Sequence, residues 1–194
     1  MSLRTNFKAS GVLAAALAMT FVSLPARADT VVSTISGSTL TVVTAGATLS
    51  GVTLTGANQT ATGSATLPWS IADLRGTGAA WTVSVTATAP TSPAGSIELV
   101  PRVIPVGNLT ITTGTITPGV GSDAITNITG STALAMTGSS QSLFSSSGTN
   151  KGTYAITPSF SLSVPANSYR SNYTAAIGST ALLPYSSTLT YTIA

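Results

Sequence analysis

Two stretches of strict two-residue alternation constrain the fold of this chain more than anything else in it. Residues 80–87 read Ala-Trp-Thr-Val-Ser-Val-Thr-Ala, and residues 185–194 read Tyr-Ser-Ser-Thr-Leu-Thr-Tyr-Thr-Ile-Ala. Large apolar and aromatic side chains fall on one parity and small polar ones on the other, which is the pattern of a strand with one buried face. Leu189, Tyr191 and Ile193 face one way and Thr188, Thr190 and Thr192 the other. No run of 3.6-residue periodicity competes with these segments. The expected fold is all-β, a single-domain two-layer β-sandwich of about eight to ten strands, and both stretches belong to its core.

Shorter alternating segments fill the rest of the chain. Residues 30–36, 38–44 and 47–55, broken by Gly37 and by Gly56-Ala57-Asn58, predict an early meander. Residues 64–73 place Trp69 and Ile71 on one parity, and Leu74-Arg75-Gly76-Thr77-Gly78 supplies glycines for a tight turn into the strand that carries Trp81. This predicts a hairpin in which Trp69 and Trp81 share an apolar layer. Residues 89–95, with two prolines, read as a loop, and 96–104 and 108–113 as strands. Residues 124–137 fit no single period. Residues 137–152 are mostly Ser and Gly around Leu143-Phe144 and read as a surface loop with one apolar anchor. Tyr154, Ile156, Pro158, Phe160, Leu162 and Val164 then share one parity over a long strand, with a bend expected at Pro158. No internal repeat of 20 to 50 residues is evident.

Residues 1–28 are set apart by a different pattern. Arg4 and Lys8 precede an apolar run over residues 11–24, and Ala26-Arg27-Ala28 forms a small-x-small cleavage site before Asp29. This is the pattern of a secretory signal peptide, its apolar run short of the roughly 20 residues that cross a bilayer. The expected mature domain is 29–194. The full sequence has a formal net charge of +3. Cleavage would leave Arg75, Arg102, Lys151 and Arg170 against Asp29, Asp73, Glu98 and Asp123, a formal charge of zero. Four scattered cations do not make the basic patch that neutralises phosphates, so no nucleic-acid partner is expected.

Cysteine and histidine are both absent. That removes disulfides, thiolate nucleophiles, imidazole bases and the usual zinc and copper ligands, so neither a metal nor a cofactor is expected. Charged residues make up 6% of the sequence, against roughly 25% in ordinary soluble proteins. Asp73, Glu98 and Asp123 are the internal carboxylates, and a glycosidase needs two of them flanking a bond. Asp73 and Arg75 are placed to form an ion pair beside the glycine turn, and the serines lack a base for a triad. The chain is therefore expected not to be an enzyme. Four Asn-x-Thr sequons begin at Asn58, Asn108, Asn127 and Asn172, a number expected by chance in a threonine-rich chain.

The run Trp69-Ser-Ile-Ala-Asp73-Leu-Arg75-Gly76-Thr-Gly78-Ala-Ala-Trp81-Thr-Val83 resembles the first signature of the WxL domain of Gram-positive surface proteins, an Asp-x-Arg-Gly-Thr-Gly turn before a strand opening Trp-x-Leu. The second signature, Tyr-x-x-x-Leu-Thr-Trp-x-Leu, is matched by Tyr185, Leu189 and Thr190, with Tyr191 at the Trp position and Ile193 at the final Leu. Val83 stands where the first signature has Leu. The resemblance covers roughly residues 45–194.

It implies a secreted protein attached non-covalently at the cell surface, with peptidoglycan or another cell-wall polymer as ligand and other surface proteins as partners. The mature chain has no lipobox cysteine, sorting signal or hydrophobic membrane anchor, so the folded domain itself would make the attachment. Trp81, Val83, Tyr185, Leu189, Thr190, Tyr191 and Ile193 are expected to be scaffold, Asp73, Arg75, Gly76 and Gly78 the turn, and Tyr169 and Tyr173, in a loop, the exposed glycan contacts. The competing expectation is a pilin-like or spore-coat-like subunit that assembles by strand addition.

Overall fold

The computed structural model describes residues 32–194; the expected signal peptide and the first residues of the expected first strand lie outside the described residues. Ile35–Ala194 forms one compact unit. It is all-β and sandwich-like, built from antiparallel sheets.

One layer is a bent sheet made of two halves. The first half has the order β1 (Leu40–Val43), β3 (Trp69–Asp73), β12 (Gly152–Ile156), β8 (Ile116–Pro118). The second has β2 (Gln59–Ser64), β13 (Ser159–Val164), β7 (Leu109–Thr112), β10 (Leu134–Ala135). The chain runs from β2 into β3, from β12 into β13 and from β7 towards β8, so three strands cross from one half to the other. The expected bend at Pro158 is one crossing point, where Ala65 N–H donates to Pro158 O at 3.0 Å and ties it to the neighbouring strand. Gly114 is another: its φ is +71°, and a Cβ there would lie 2.6 Å from Thr157 O. Only glycine fits so close a backbone approach at that φ.

The facing sheet has the order β14 (Leu189–Ile193), β4 (Trp81–Ala87), β11 (Gln141–Ser146), β9 (Ile128–Gly130). The two alternating stretches that dominate the sequence are thus direct neighbours, with Tyr191 opposite Val85 and Ile193 opposite Val83. A two-stranded ribbon, β5 (Thr91–Ser92) with β6 (Arg102–Val103), completes the set. Fourteen strands are described rather than eight to ten, because each bent strand divides in two and the shortest pairings leave no periodic signal.

Trp69 joins the layers. It is 1% exposed. Its ring meets Phe144 and Tyr191 of the facing sheet and Phe160 beyond the bend, at centroid distances of 6.3, 4.8 and 6.2 Å. Its indole N–H donates to Ala45 O at 2.9 Å.

Several expectations are corrected. Residues 96–104 are not a strand along their length, since only Arg102–Val103 pairs, with Thr91–Ser92 of the expected 89–95 loop. The strands bearing Trp69 and Trp81 do not form a hairpin: β3 pairs with β1 and β12, and β4 with β14 and β11. The glycine turn instead carries the chain from one layer to the other, so both indoles reach the same core from facing sheets. Residues 38–44 and 47–55 do not pair with each other in a meander; β1 runs beside β3, and Ser50 N–H donates to Thr62 O at 2.8 Å. Residues 137–152 are not a plain surface loop, since β11 lies inside the facing sheet. Its register shifts between Ser142 and Phe144, so that Leu143 and Phe144 are both buried. Such a bulge breaks the alternation by which a strand is recognised.

Candidate functional site

The Asp73 turn is a closed structural device. Arg75 donates to the Asp73 carboxylate through Nε and Nη2, both at 2.9 Å, and through its backbone N–H at 3.2 Å; Nη2 also reaches Ala79 O at 2.8 Å. Gly76 and Gly78 have φ of +73° and +64°, the left-handed region in which glycine carries no steric cost. The Arg75 hydrogen bond holds the buried Asp73 carboxyl below its ordinary value.

Of the expected scaffold residues, Trp81 and Val83 are buried, and Leu189, Tyr191, Ile193 and Tyr185 are half-buried against the core. Thr190 differs: its side chain faces solvent while its backbone pairs with Thr86. Its parity in the alternation, polar-side rather than core-side, is the reason.

Two loops, roughly 89–104 and 165–187, fold against each other around Asn172, which is fully buried. The Asn172 N–H donates to Ser92 Oγ at 2.9 Å, and Nδ2 donates to Pro93 O and Val100 O at 2.9 and 2.8 Å. Asn172 Oδ1 accepts from Arg102 Nε at 3.4 Å. Ser92 Oγ in turn donates to Leu183 O at 2.6 Å. The sequon at Asn172 is therefore a structural position rather than a surface one. Glu98 closes the cluster by accepting from Arg170 Nη1 and Nη2 at 2.9 and 2.6 Å and from Tyr173 N–H at 2.8 Å. These bonds, that of Arg170 foremost, hold its carboxyl below the ordinary range.

This frame places the two loop tyrosines differently. Tyr169 is 65% exposed, with the Arg102 guanidinium 4.2 Å from its ring centroid. Tyr173 is half-buried, with Arg170 over its ring at 4.0 Å. Tyr185 hydroxyl donates to Tyr169 O at 2.9 Å and fixes that backbone.

Tyr169 and Tyr185 stand on the rim of a cavity of about 1140 Å³. Its lining is largely apolar: Phe160 and Leu162 come from the bent sheet, Leu189 and Tyr191 from β14, and residues 44–54 run along one wall. The structure thus brings Tyr169, Tyr185, Leu189 and Tyr191 to one site. Trp81, Val83, Ile193, Thr190, Tyr173 and the Asp73 turn do not line it. Sequence reasoning missed Arg102, which has no motif around it and becomes notable only through its place over Tyr169.

The remaining carboxylate, Asp123, accepts from Lys151 Nζ at 2.7 Å and from its backbone N–H at 2.8 Å, and is likewise held below the ordinary range. Among the described residues no three carboxylates gather into a metal-binding group, and no helix is long and apolar enough to cross a membrane. Comparison of the chain with family models, curated proteins and solved structures found no match.

Proposed function

We propose that this is a secreted, non-catalytic surface protein that attaches non-covalently to the bacterial cell wall, with peptidoglycan or another wall polymer as ligand, through a WxL-like domain. The observation that carries the reading is the exposed Tyr169 ring on the rim of the 1140 Å³ cavity. Small-ligand pockets occupy roughly 300–1,000 Å³, so a cavity of this size suits a segment of a chain polymer. An aromatic face on the rim suits the apolar face of a sugar ring. A non-catalytic role is supported by the electrostatics: Asp73, Glu98 and Asp123 are each held ionised by a cation. A glycosidase acid needs the reverse, a carboxyl kept protonated by a raised pKa. The test is co-sedimentation of the mature chain with isolated cell walls. Wild type is expected to pellet with walls and Tyr169→Ala to remain largely in the supernatant; equal pelleting of both removes Tyr169, and no pelleting of wild type removes the proposal.

A second reading, a subunit that assembles by strand addition, is favoured by one observation. Among the described residues β14 pairs only with β4, and the residues bonded to β4 are Thr188, Thr190, Thr192 and Ala194. The N–H and C=O groups of Leu189, Tyr191 and Ile193 therefore point away from β4 along an edge that pairs with no strand among the described residues. Light scattering separates the two readings. A monomer that co-sediments with walls favours wall attachment, and concentration-dependent filaments without walls favour assembly.

A further inference from the structure

We infer that Arg102 and Tyr169 form a subsite for an acidic sugar unit, one bearing a carboxylate or a phosphate. The inference rests on the wall-polymer reading and narrows it to anionic glycans.

Charge pairing singles out Arg102. Arg75, Lys151 and Arg170 each hold a carboxylate at 2.6–2.9 Å. Arg102 is the one arginine or lysine among the described residues that makes no ion pair, although its charge adds to that of Arg170 in holding Glu98 ionised. Its Nε is spent on Asn172 Oδ1 at 3.4 Å, whereas its two terminal nitrogens donate to no protein acceptor among the described residues. A guanidinium left in that state has the planar pair of donors that carboxylate and phosphate oxygens accept together.

The group is also held in place. Asn172 is fully buried and fixed by Ser92, Pro93 and Val100. The ribbon that carries Arg102 pairs it with Ser92, and the Tyr169 ring supports the flat face of the guanidinium at 4.2 Å. Orientation fixed before binding reduces the entropy lost on binding. Tyr169 remains 65% exposed although Arg102 lies over it, so much of its ring stays open to solvent. A sugar stacked on the open part of that ring, beside the apolar cavity that Tyr169 helps to line, would bring a ring substituent within reach of the guanidinium, which itself lies outside the cavity lining.

The experiment is an NMR titration of the mature protein with three sugars: N-acetylglucosamine, N-acetylmuramic acid (the same ring with a carboxylate arm) and N-acetylglucosamine 1-phosphate. Wild type is expected to bind at least one acidic sugar about tenfold tighter than the neutral one, as charge-assisted hydrogen bonds imply. Which acidic sugar wins distinguishes carboxylate from phosphate as the source. Arg102→Gln should abolish the preference, and Lys151→Gln should leave it intact. Because Arg102 also touches Asn172, Tyr169→Ala serves as a second variant, expected to weaken all three sugars. Equal affinity for neutral and acidic sugars, no shifts with any sugar, or an unchanged preference in a folded Arg102→Gln protein overturns the inference. Wall co-sedimentation run beside it separates the two proposals. Binding to walls without acidic-sugar preference removes the subsite alone, and acidic-sugar preference without wall binding removes wall attachment alone.

Discussion

The indole of Trp69 and the phenol ring of Tyr191 meet edge to face, 4.8 Å between centroids at an interplanar angle of 72°. One belongs to the bent sheet and the other to the C-terminal strand of the facing sheet. Edge-to-face pairs contribute about 0.5–1.5 kcal/mol beyond the area they bury, and here the same indole also touches Phe144 and Phe160.

Trp69→Ala is therefore expected to destabilise the domain by about 3–5 kcal/mol, the usual cost of emptying a large aromatic site. Trp69→Phe keeps part of the packing but strands Ala45 O, which accepts the indole N–H, and should cost less than Trp69→Ala. Urea unfolding followed by far-UV CD reads both, and a midpoint unchanged in Trp69→Ala contradicts this account of the core.

Tyr191 gives the fold an alkaline limit. Burial pushes its phenol well above the ordinary range, so the folded chain keeps the proton that the unfolded chain releases near pH 10. The resulting contribution is fully present below pH 10 and is lost as pH rises above it, because the unfolded state is then stabilised by ionisation. Tyr191→Phe has no proton to lose and should retain more of its neutral-pH stability at pH 11 than wild type does. Burial also raises the Tyr154 and Tyr185 phenols, so some alkaline loss persists in the variant. Urea midpoints at pH 7 and pH 11 give the comparison.

Asp73 sets the acid limit. Its folded carboxyl lies below the ordinary value, through the Arg75 hydrogen bond first, so its contribution is present above about pH 4 and is lost as pH falls through the folded value. Asp73→Asn should cost about 1.5–3 kcal/mol at pH 7, as for a hydrogen bond to a charged group. The gap from wild type should close below pH 4. A gap that is constant with pH would mean that shape rather than charge makes the turn.

What the sequence reveals of this fold follows from how each segment is buried. β4, β14 and the bent β12–β13 strand each bury one face, so alternation marks them, and Pro158 marks the bend. β11 buries Leu143 and Phe144 in succession, and its bulge hides it among serines. The layer-to-layer course of the Asp73 turn is invisible because a hairpin and a crossing between sheets need the same glycines. The Asp73–Arg75 pair is legible because its partners are two residues apart. The frame that orients Arg102 is not, since Asn172, Glu98 and Ser92 are joined to it only by the folding of two distant loops. Tyr169 and Tyr173 look alike in sequence, and only the fold separates them: Tyr173 is bridged to Leu182, lies against Gly95 and donates to Glu98, and Tyr169 has none of these contacts.

Removing the C-terminal strand is expected to unfold the domain. Ending the chain at Pro184 removes β14, the partner of β4 along residues 83–87, and takes Tyr191 from Trp69. Full burial of an apolar side chain contributes about 1.5–3 kcal/mol; the half-buried Leu189, Tyr191 and Ile193 contribute less each, but domains of this kind hold only about 5–15 kcal/mol in reserve. The truncated chain is expected to be insoluble or unfolded, and a soluble product with unchanged far-UV CD would contradict this.

Gly95 links the fold to the candidate site. A Cβ there would overlap the Tyr173 carbonyl, where the first loop lies directly against the second and Ser96 N–H donates to Thr174 O at 3.3 Å. Gly95→Ala must push residues 172–174 outward and loosen the Asn172 frame, at a cost of about 1–3 kcal/mol for overpacking. Because that frame orients Arg102 through Asn172, the variant should lose affinity for the proposed acidic sugar as well as stability. Gly76→Ala is the control: its backbone, unlike that of Gly95, has positive φ, at +73°, but the added methyl meets nothing within 4 Å, and it lies outside the cavity. It should lose about 1–2 kcal/mol of stability while its wall pelleting stays at the wild-type level. If Gly95→Ala folds and pellets with walls as wild type does, the two-loop frame does not position the binding surface.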